Sequence, residues 1–246
     1  MPMLKRPDAE IYYEGFPILL YAPGGLTSRV EMWGGASPNY PKGFPWMDPR
    51  TALADKYTVI AMDQRNAGKS VADVKPDHGW HTFAADHLAL MDHLGFKKFH
   101  VMGGCIGGSY CFEAIEQAPD RVASAVLQNP IGLWENRDSW DAAVKGYGET
   151  VRARDPSIPQ SAIDSFGKNM FGSDFVFSVT RDFVKAGRTP LFLQPGTDKP
   201  HPAATSEEIA RLAPNLEGQK DWRGPTHLAE SIRRVSDFLT RHTPAS

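Results

Sequence analysis

The chain has 246 residues, 41% hydrophobic and 23% charged, which supplies a full apolar core and excludes a disordered segment. A formal net charge of -2 at pH 7 excludes a broad polyanion-binding surface, so no nucleic acid is expected as a partner. The two cysteines, Cys105 and Cys111, are too few for a disulfide framework or an all-cysteine zinc site.

In chain order, the opening Met-Pro-Met-Leu-Lys-Arg-Pro-Asp is charged and is not followed by the apolar stretch of a secretion signal. No stretch reaches the roughly 18 apolar residues of a membrane span. The expectation is a soluble, cytoplasmic protein with no membrane partner. Apolar, β-rich runs bounded by turn residues predict strands at 16–21, 57–62, 99–102, 123–127 and 190–193. Their near-continuous hydrophobicity suits strands buried on both faces of a parallel sheet. Between them, i, i+3/i+4 patterns predict helices at 80–94, 109–117, 206–212 and 227–241, the first stopped by Gly95. Strands alternating with helices indicate an α/β fold with a doubly wound, mostly parallel sheet. The stretch 133–188 interrupts this rhythm: it has no clear strand, carries helical patches such as 139–154, and is too long for a plain loop. It reads as a helical cap inserted into a core made of 1–132 and 189–246.

Gly103-Gly104-Cys105-Ile106-Gly107-Gly108 follows one predicted strand and precedes a predicted helix. This is Gly-x-nucleophile-x-Gly in strand–turn–helix context, a nucleophile elbow with cysteine in place of serine. A nucleophile on so tight a turn takes a strained backbone conformation, and side chains at 103 and 107 would clash. The following helix directs its free N–H groups at the sulfur, which favours a thiolate. Taken alone, the motif leaves open a buried structural cysteine beside a glycine turn. Cys111, inside the helix, reads as core.

Four further loops extend the pattern. Pro23-Gly24-Gly25-Leu26-Thr27-Ser28, Asp63-Gln64-Arg65-Asn66-Ala67-Gly68-Lys69-Ser70 and Leu193-Gln194-Pro195-Gly196-Thr197-Asp198 each follow a predicted strand, and Gly224-Pro225-Thr226-His227 precedes the last helix. With the elbow, these resemble the α/β-hydrolase fold superfamily over nearly the whole chain. They correspond to its oxyanion-hole loop, its D-x-R-G-x-G-x-S loop with Asn66 for the first glycine, its acid loop and its histidine loop. The resemblance implies a catalytic triad Cys105, Asp198 and His227, similar to that of dienelactone hydrolases, in the family's nucleophile–acid–base order. It implies an oxyanion hole from the N–H of Ile106 with that of Gly25 or Leu26. The sequence departs from the family in two respects: it is short before residue 16, where the family's usual first strand would lie, and its acid loop is the weaker match, with Lys199 three residues beyond Gly196 and Asp198 the loop's only carboxylate. Asp221 is a distant second acid. His201 is the alternative base, disfavoured because a residue beside the acid in sequence rarely reaches back to the elbow.

Other motifs carry less. Gly68-Lys69-Ser70 ends like a phosphate loop, but Asp63 stands where that loop needs glycine. His81, His87 and His93 recur every six residues and so share no helix face, which makes a poor metal site. No metal and no cofactor is expected. Arg29 is a candidate to pair with a substrate carboxylate, or equally with Glu31. Trp134 and Trp140 are candidate substrate-pocket walls in the cap, or members of its own core. The implied activity is hydrolysis of an ester, lactone or thioester of a small-molecule substrate through a Cys105 acyl-enzyme. Acyl transfer, C–C bond hydrolysis and non-catalytic ligand binding are the alternatives, and a homodimer is the one protein partner left open.

Overall fold

A computed structural model describes residues 3–6, 9–12, 16–34 and 43–245. Its main sheet contains β3 (Phe16–Tyr21), β4 (Tyr57–Ala61), β5 (Phe99–Gly104), β6 (Val122–Gln128), β7 (Leu191–Gln194) and β8 (Leu216–Gly218), in the order β4-β3-β5-β6-β7-β8. Every pairing in it is parallel. The strands β1 (Met3–Arg6) and β2 (Ala9–Tyr12) pair antiparallel in a separate hairpin. Neither this hairpin nor β8 is foreseen from the sequence, because the three residues Leu-Glu-Gly of β8 carry no apolar run.

Alternation along each strand divides the side chains between two cores. Leu19, Tyr21, Val101, Leu127, Leu191 and Leu193 enter one, and Ile18, Leu20, Met102, Val126 and Phe192 enter the other. This is why the strands read as continuous apolar runs: both faces are covered. Helices α2 (Trp80–His93) and α3 (Gly107–Gln117) supply buried residues to the first core, whereas α8 (Pro225–His242) supplies Val235, Phe238 and Leu239 to the second. Each such side chain contributes on the order of 1.5–3 kcal/mol on full burial. The short α1 (Pro49–Ala52) and α7 (Ala203–Leu212) complete the flanking helices.

Between β6 and β7 lie α4 (Arg137–Arg154), α5 (Gln160–Phe171) and α6 (Arg181–Ala186). Polar ties hold this stretch to the loops around it. Trp80 Nε1 donates to the Met170 carbonyl at 2.7 Å, and Asn66 Nδ2 to the Tyr147 hydroxyl at 3.2 Å. Ser109 Oγ donates to the Val176 carbonyl at 2.7 Å, and Asn136 Nδ2 to that of Lys199 at 2.8 Å.

Candidate active site

Cys105 stands at the turn from β5 into α3 with φ 59, a left-handed conformation that non-glycine residues adopt only under constraint. Its N–H donates to the Gln128 carbonyl at 3.0 Å, and its own carbonyl accepts from Gly108 at 3.1 Å. A Cβ on Gly103 would run into the Gly107 backbone, and one on Gly107 would lie 2.5 Å from the Tyr21 carbonyl oxygen. The glycine spacing is thus set by close backbone approach, as the motif implies.

The acid loop leaves β7 at the adjoining end of the sheet. Asp198 and His201 close a four-residue turn: His201 N–H donates to the Asp198 carbonyl at 3.0 Å and Asp198 N–H to the His201 carbonyl at 3.3 Å. His201 Nδ1 lies 2.5 Å from Asp198 Oδ1, which also accepts the His201 N–H at 3.1 Å. The other ring nitrogen, Nε2, is buried and forms no well-directed hydrogen bond, yet the ring is near enough to Cys105 for its charge to act on the sulfur.

Burial works to push the Cys105 thiol up. The His201 charge and hydrogen-bonding capacity overcome it, helped by backbone N–H groups of Gly24 and Ile106, and the thiol is held below its ordinary value. For His201, burial would lower the ring; the Cys105 sulfur and the Asp198 carboxylate together raise it to about 9. Both shifts favour thiolate–imidazolium over thiol–imidazole. Asp198 is exposed at its outer edge; burial would raise its carboxyl, but its bond to His201 and the nearby Arg223 guanidinium hold it low.

The structure therefore brings Asp198 and His201 together beside Cys105. His227 is exposed in the first turn of α8, and among the described residues no hydrogen bond, ion pair or ring contact joins its side chain to Cys105 or Asp198. Two local features account for this. Pro225 starts α8, so His227 is inside the helix with its N–H on the Gly224 carbonyl at 3.1 Å. The preceding loop is anchored elsewhere, with Trp222 buried and its Nε1 donating to the Pro195 carbonyl at 3.0 Å.

The backbone N–H groups that act on the Cys105 sulfur are those of Gly24 and Ile106. Residues 25–27 form a short 3-10 helix in which the Gly25 carbonyl accepts from Ser28 and Leu26 is buried. Gly24 has φ 122, which only glycine adopts easily; that glycine was visible in the Pro-Gly-Gly motif. Asn66, at the position of the family's first glycine, has φ 62, tolerable for asparagine, and its Oδ1 accepts from the Ala72 N–H at 2.9 Å.

Arg29 pairs with exposed Glu31 at 3.5 Å. Trp140 is buried within the helical stretch, with ring centroids 5.1 Å from Phe171 and 5.0 Å from Phe177. Trp134 is 57% exposed. Among the described residues no hydrogen bond or ring contact joins these three to Cys105, Asp198 or His201. Of the three spaced histidines, His87 is buried with Nε2 2.7 Å from Gln64 Oε1, and His93 is exposed. Among the described residues no helix is long and apolar enough to cross a membrane.

A family model described as alpha/beta hydrolase fold matches residues 17–220. A protein described as putative carbamate hydrolase RutD, from Agrobacterium fabrum, is 26% identical over 194 residues. That match covers 78% of this chain and 61% of the relative, so the chain spans less than two thirds of that protein's length. A protein of the same description from Pseudomonas savastanoi pv. phaseolicola is 33% identical over 201 residues, 76% of each chain. Among solved structures, a meta-cleavage product hydrolase from Pseudomonas fluorescens IP01 superposes with TM-score 0.64 at 17% identity, covering 94% of this chain and 92% of that one.

Proposed function

The chain belongs to the α/β-hydrolase fold family, and on that premise we propose that it is a hydrolase whose nucleophile is Cys105, with His201 as its acid and base and Asp198 orienting the ring. The observation that carries the reading is the geometry: Cys105 at φ 59 on the elbow, beside an imidazole fixed by the Asp198 carboxylate at 2.5 Å, and in that setting the thiol is held low and the imidazole raised to about 9. The substrate class is an ester, lactone or thioester of a small organic molecule.

The thiolate attacks the carbonyl carbon, and the carbonyl π electrons move to oxygen, where the N–H groups of Gly24 and Ile106 hold the oxyanion. His201 donates its proton to the departing alcohol or thiol as the carbonyl reforms, leaving a thioester on Cys105. Water then attacks, giving its proton to His201; the acid leaves and the thiolate returns. Helices α4–α6 serve as a cap over this end of the sheet, tied to the acid–base turn through Asn136. The relatives' description as carbamate hydrolases adds a carbamate ester to the panel to be tried, since carbamoyl transfer to sulfur follows the same steps.

Intact mass after mixing with an activated acyl ester tests the proposal. The expected result is a transient acyl adduct on Cys105 that His201→Ala protein forms slowly and fails to release. Turnover without any adduct, or an adduct on Cys111, overturns it.

A further inference from the structure

The turn that carries acid and base is internally bonded, but those bonds make it rigid without placing it. Asp198 and Lys199 are exposed, so its position depends on anchors from outside. Gly196 N–H donates to Ser206 Oγ at 3.1 Å, and Arg223 Nη1 to Thr197 Oγ1 at 3.3 Å; both lie before the turn. Within the turn, the Lys199 carbonyl accepts from Asn136 Nδ2 at 2.8 Å. Asn136 is fully buried, and its amide is saturated. Nδ2 also donates to the Gly132 carbonyl at 3.0 Å; Oδ1 accepts from the Trp134 N–H at 2.9 Å and from Trp140 Nε1 at 3.2 Å. An exposed ion pair, Lys199 Nζ to Asp138 Oδ2 at 2.5 Å, runs beside it. Being exposed, that pair contributes little.

Resting on the reading of His201 as the base, we propose that Asn136 is a positioning residue: by holding the Lys199 carbonyl, it aims His201 at the Cys105 sulfur and makes the alignment of the base depend on how the start of α4 is seated. Loss of the peg lets the turn swing about Gly196–Thr197 while the Asp198–His201 bond survives. The sulfur then loses its cation. A displacement of about 1 Å is enough to lower the reaction rate on the order of 100-fold.

The readout is the pH profile of Cys105 alkylation by iodoacetamide, with folding followed by circular dichroism and the kcat and KM of an activated ester measured alongside. Cys105 faces His201 and, more weakly, Tyr110; Asp198 faces His201 and Arg223; none of these is altered by a change at Asn136. Asn136→Ala is expected to move the profile upward, with alkylation ~10-fold slower near pH 6.5, and to lower kcat more than it changes KM. Asn136→Ser, which still presents a hydroxyl at the start of α4, is expected to show a smaller shift in the same direction. Ser124→Ala, which breaks a buried bond to His100 Nδ1 (2.8 Å) at the other end of the strands, controls for destabilisation and should keep the wild-type profile.

A folded Asn136→Ala protein with a wild-type profile, while His201→Ala shifts it, overturns the positioning role and leaves the nucleophile–base reading intact. A profile unmoved by His201→Ala overturns that reading and this inference with it. Failure of both Asn136 variants to fold assigns the residue to the fold alone and also overturns the proposal.

Discussion

Asp198 and His201 share a hydrogen bond of 2.5 Å between Oδ1 and Nδ1 across a turn of only four residues. Carboxylate and imidazole are thus held by a single loop after β7, the loop from which the proposed acid and base both come.

That arrangement predicts a clean division between the two histidines. His201→Ala should lower kcat/KM for an activated ester by on the order of 10³-fold or more. His227→Ala, at an exposed first-turn position, should remain within about twofold of wild type and unfold within about 0.5 kcal/mol of it. The reverse ranking in steady-state kinetics would return the base to α8.

The pH dependence follows from the two shifts. The reactive form needs Cys105 deprotonated and His201 protonated. Activity should therefore rise through a thiol pKa below the ordinary value and fall as the ring loses its proton near pH 9. The linked contribution of His201 to stability, a base raised on folding, is full below its ordinary value of 6.5 and lost as pH rises through about 9. A kcat/KM profile with a single ascending limb at the ordinary thiol range would contradict the ion pair.

The two thiols should differ sharply toward iodoacetamide. Cys111 is fully buried, and burial pushes its thiol well up, whereas Cys105 is partly accessible and held low. Peptide mapping after one equivalent at neutral pH should find label on Cys105 alone, with activity lost in proportion.

Glycines of the elbow should be intolerant for steric reasons. Gly107→Ala places a methyl 2.5 Å from the Tyr21 carbonyl oxygen, and Gly103→Ala drives one into the Gly107 backbone. Each should lower unfolding free energy by roughly 2–3 kcal/mol or more, read by urea denaturation. Gly25→Ala has φ 60 but nothing within 4 Å of the new Cβ, so it should cost only about 1–2 kcal/mol, from the backbone.

Acid should unfold the protein through His87 and His100. Burial is the main cause that brings each to about 3, with Arg65 adding for His87 and His242 for His100. Each ring is neutral in the folded state and binds a proton on unfolding once pH drops below 6.5. Stability is therefore full above that pH and declines toward pH 3, by about 1.4 kcal/mol per pH unit for each histidine. Urea midpoints taken from pH 7 to 4 check the slope. Midpoints that stay level would show that neither ring is protected.

The strands and most helices were legible because their rules are local. A run such as 16–21 is apolar at every position because one face meets Leu19 and Tyr21's core and the other Ile18 and Leu20's. The helix at 80–94 is observed as Trp80–His93 with Leu94 closing it. The elbow at Cys105 was equally readable, since two glycines answer to backbone contacts that any sequence making this turn must avoid. The strand β8 was not, because its three residues are held by pairing with β7 and carry no pattern of their own.

The amino-acid order by itself determined the α/β class, the tight turn at Cys105 and the loop that carries Asp198, all consequences of side-chain periodicity and steric space within a few residues. Only the tertiary structure placed the His201 ring on Asp198 beside the sulfur and the Gly24 N–H with that of Ile106. Those depend on how a four-residue turn closes on itself, where Pro225 starts a helix, and how strands remote in sequence are ordered side by side. These are distances between segments, and neighbouring residues along the chain do not encode them.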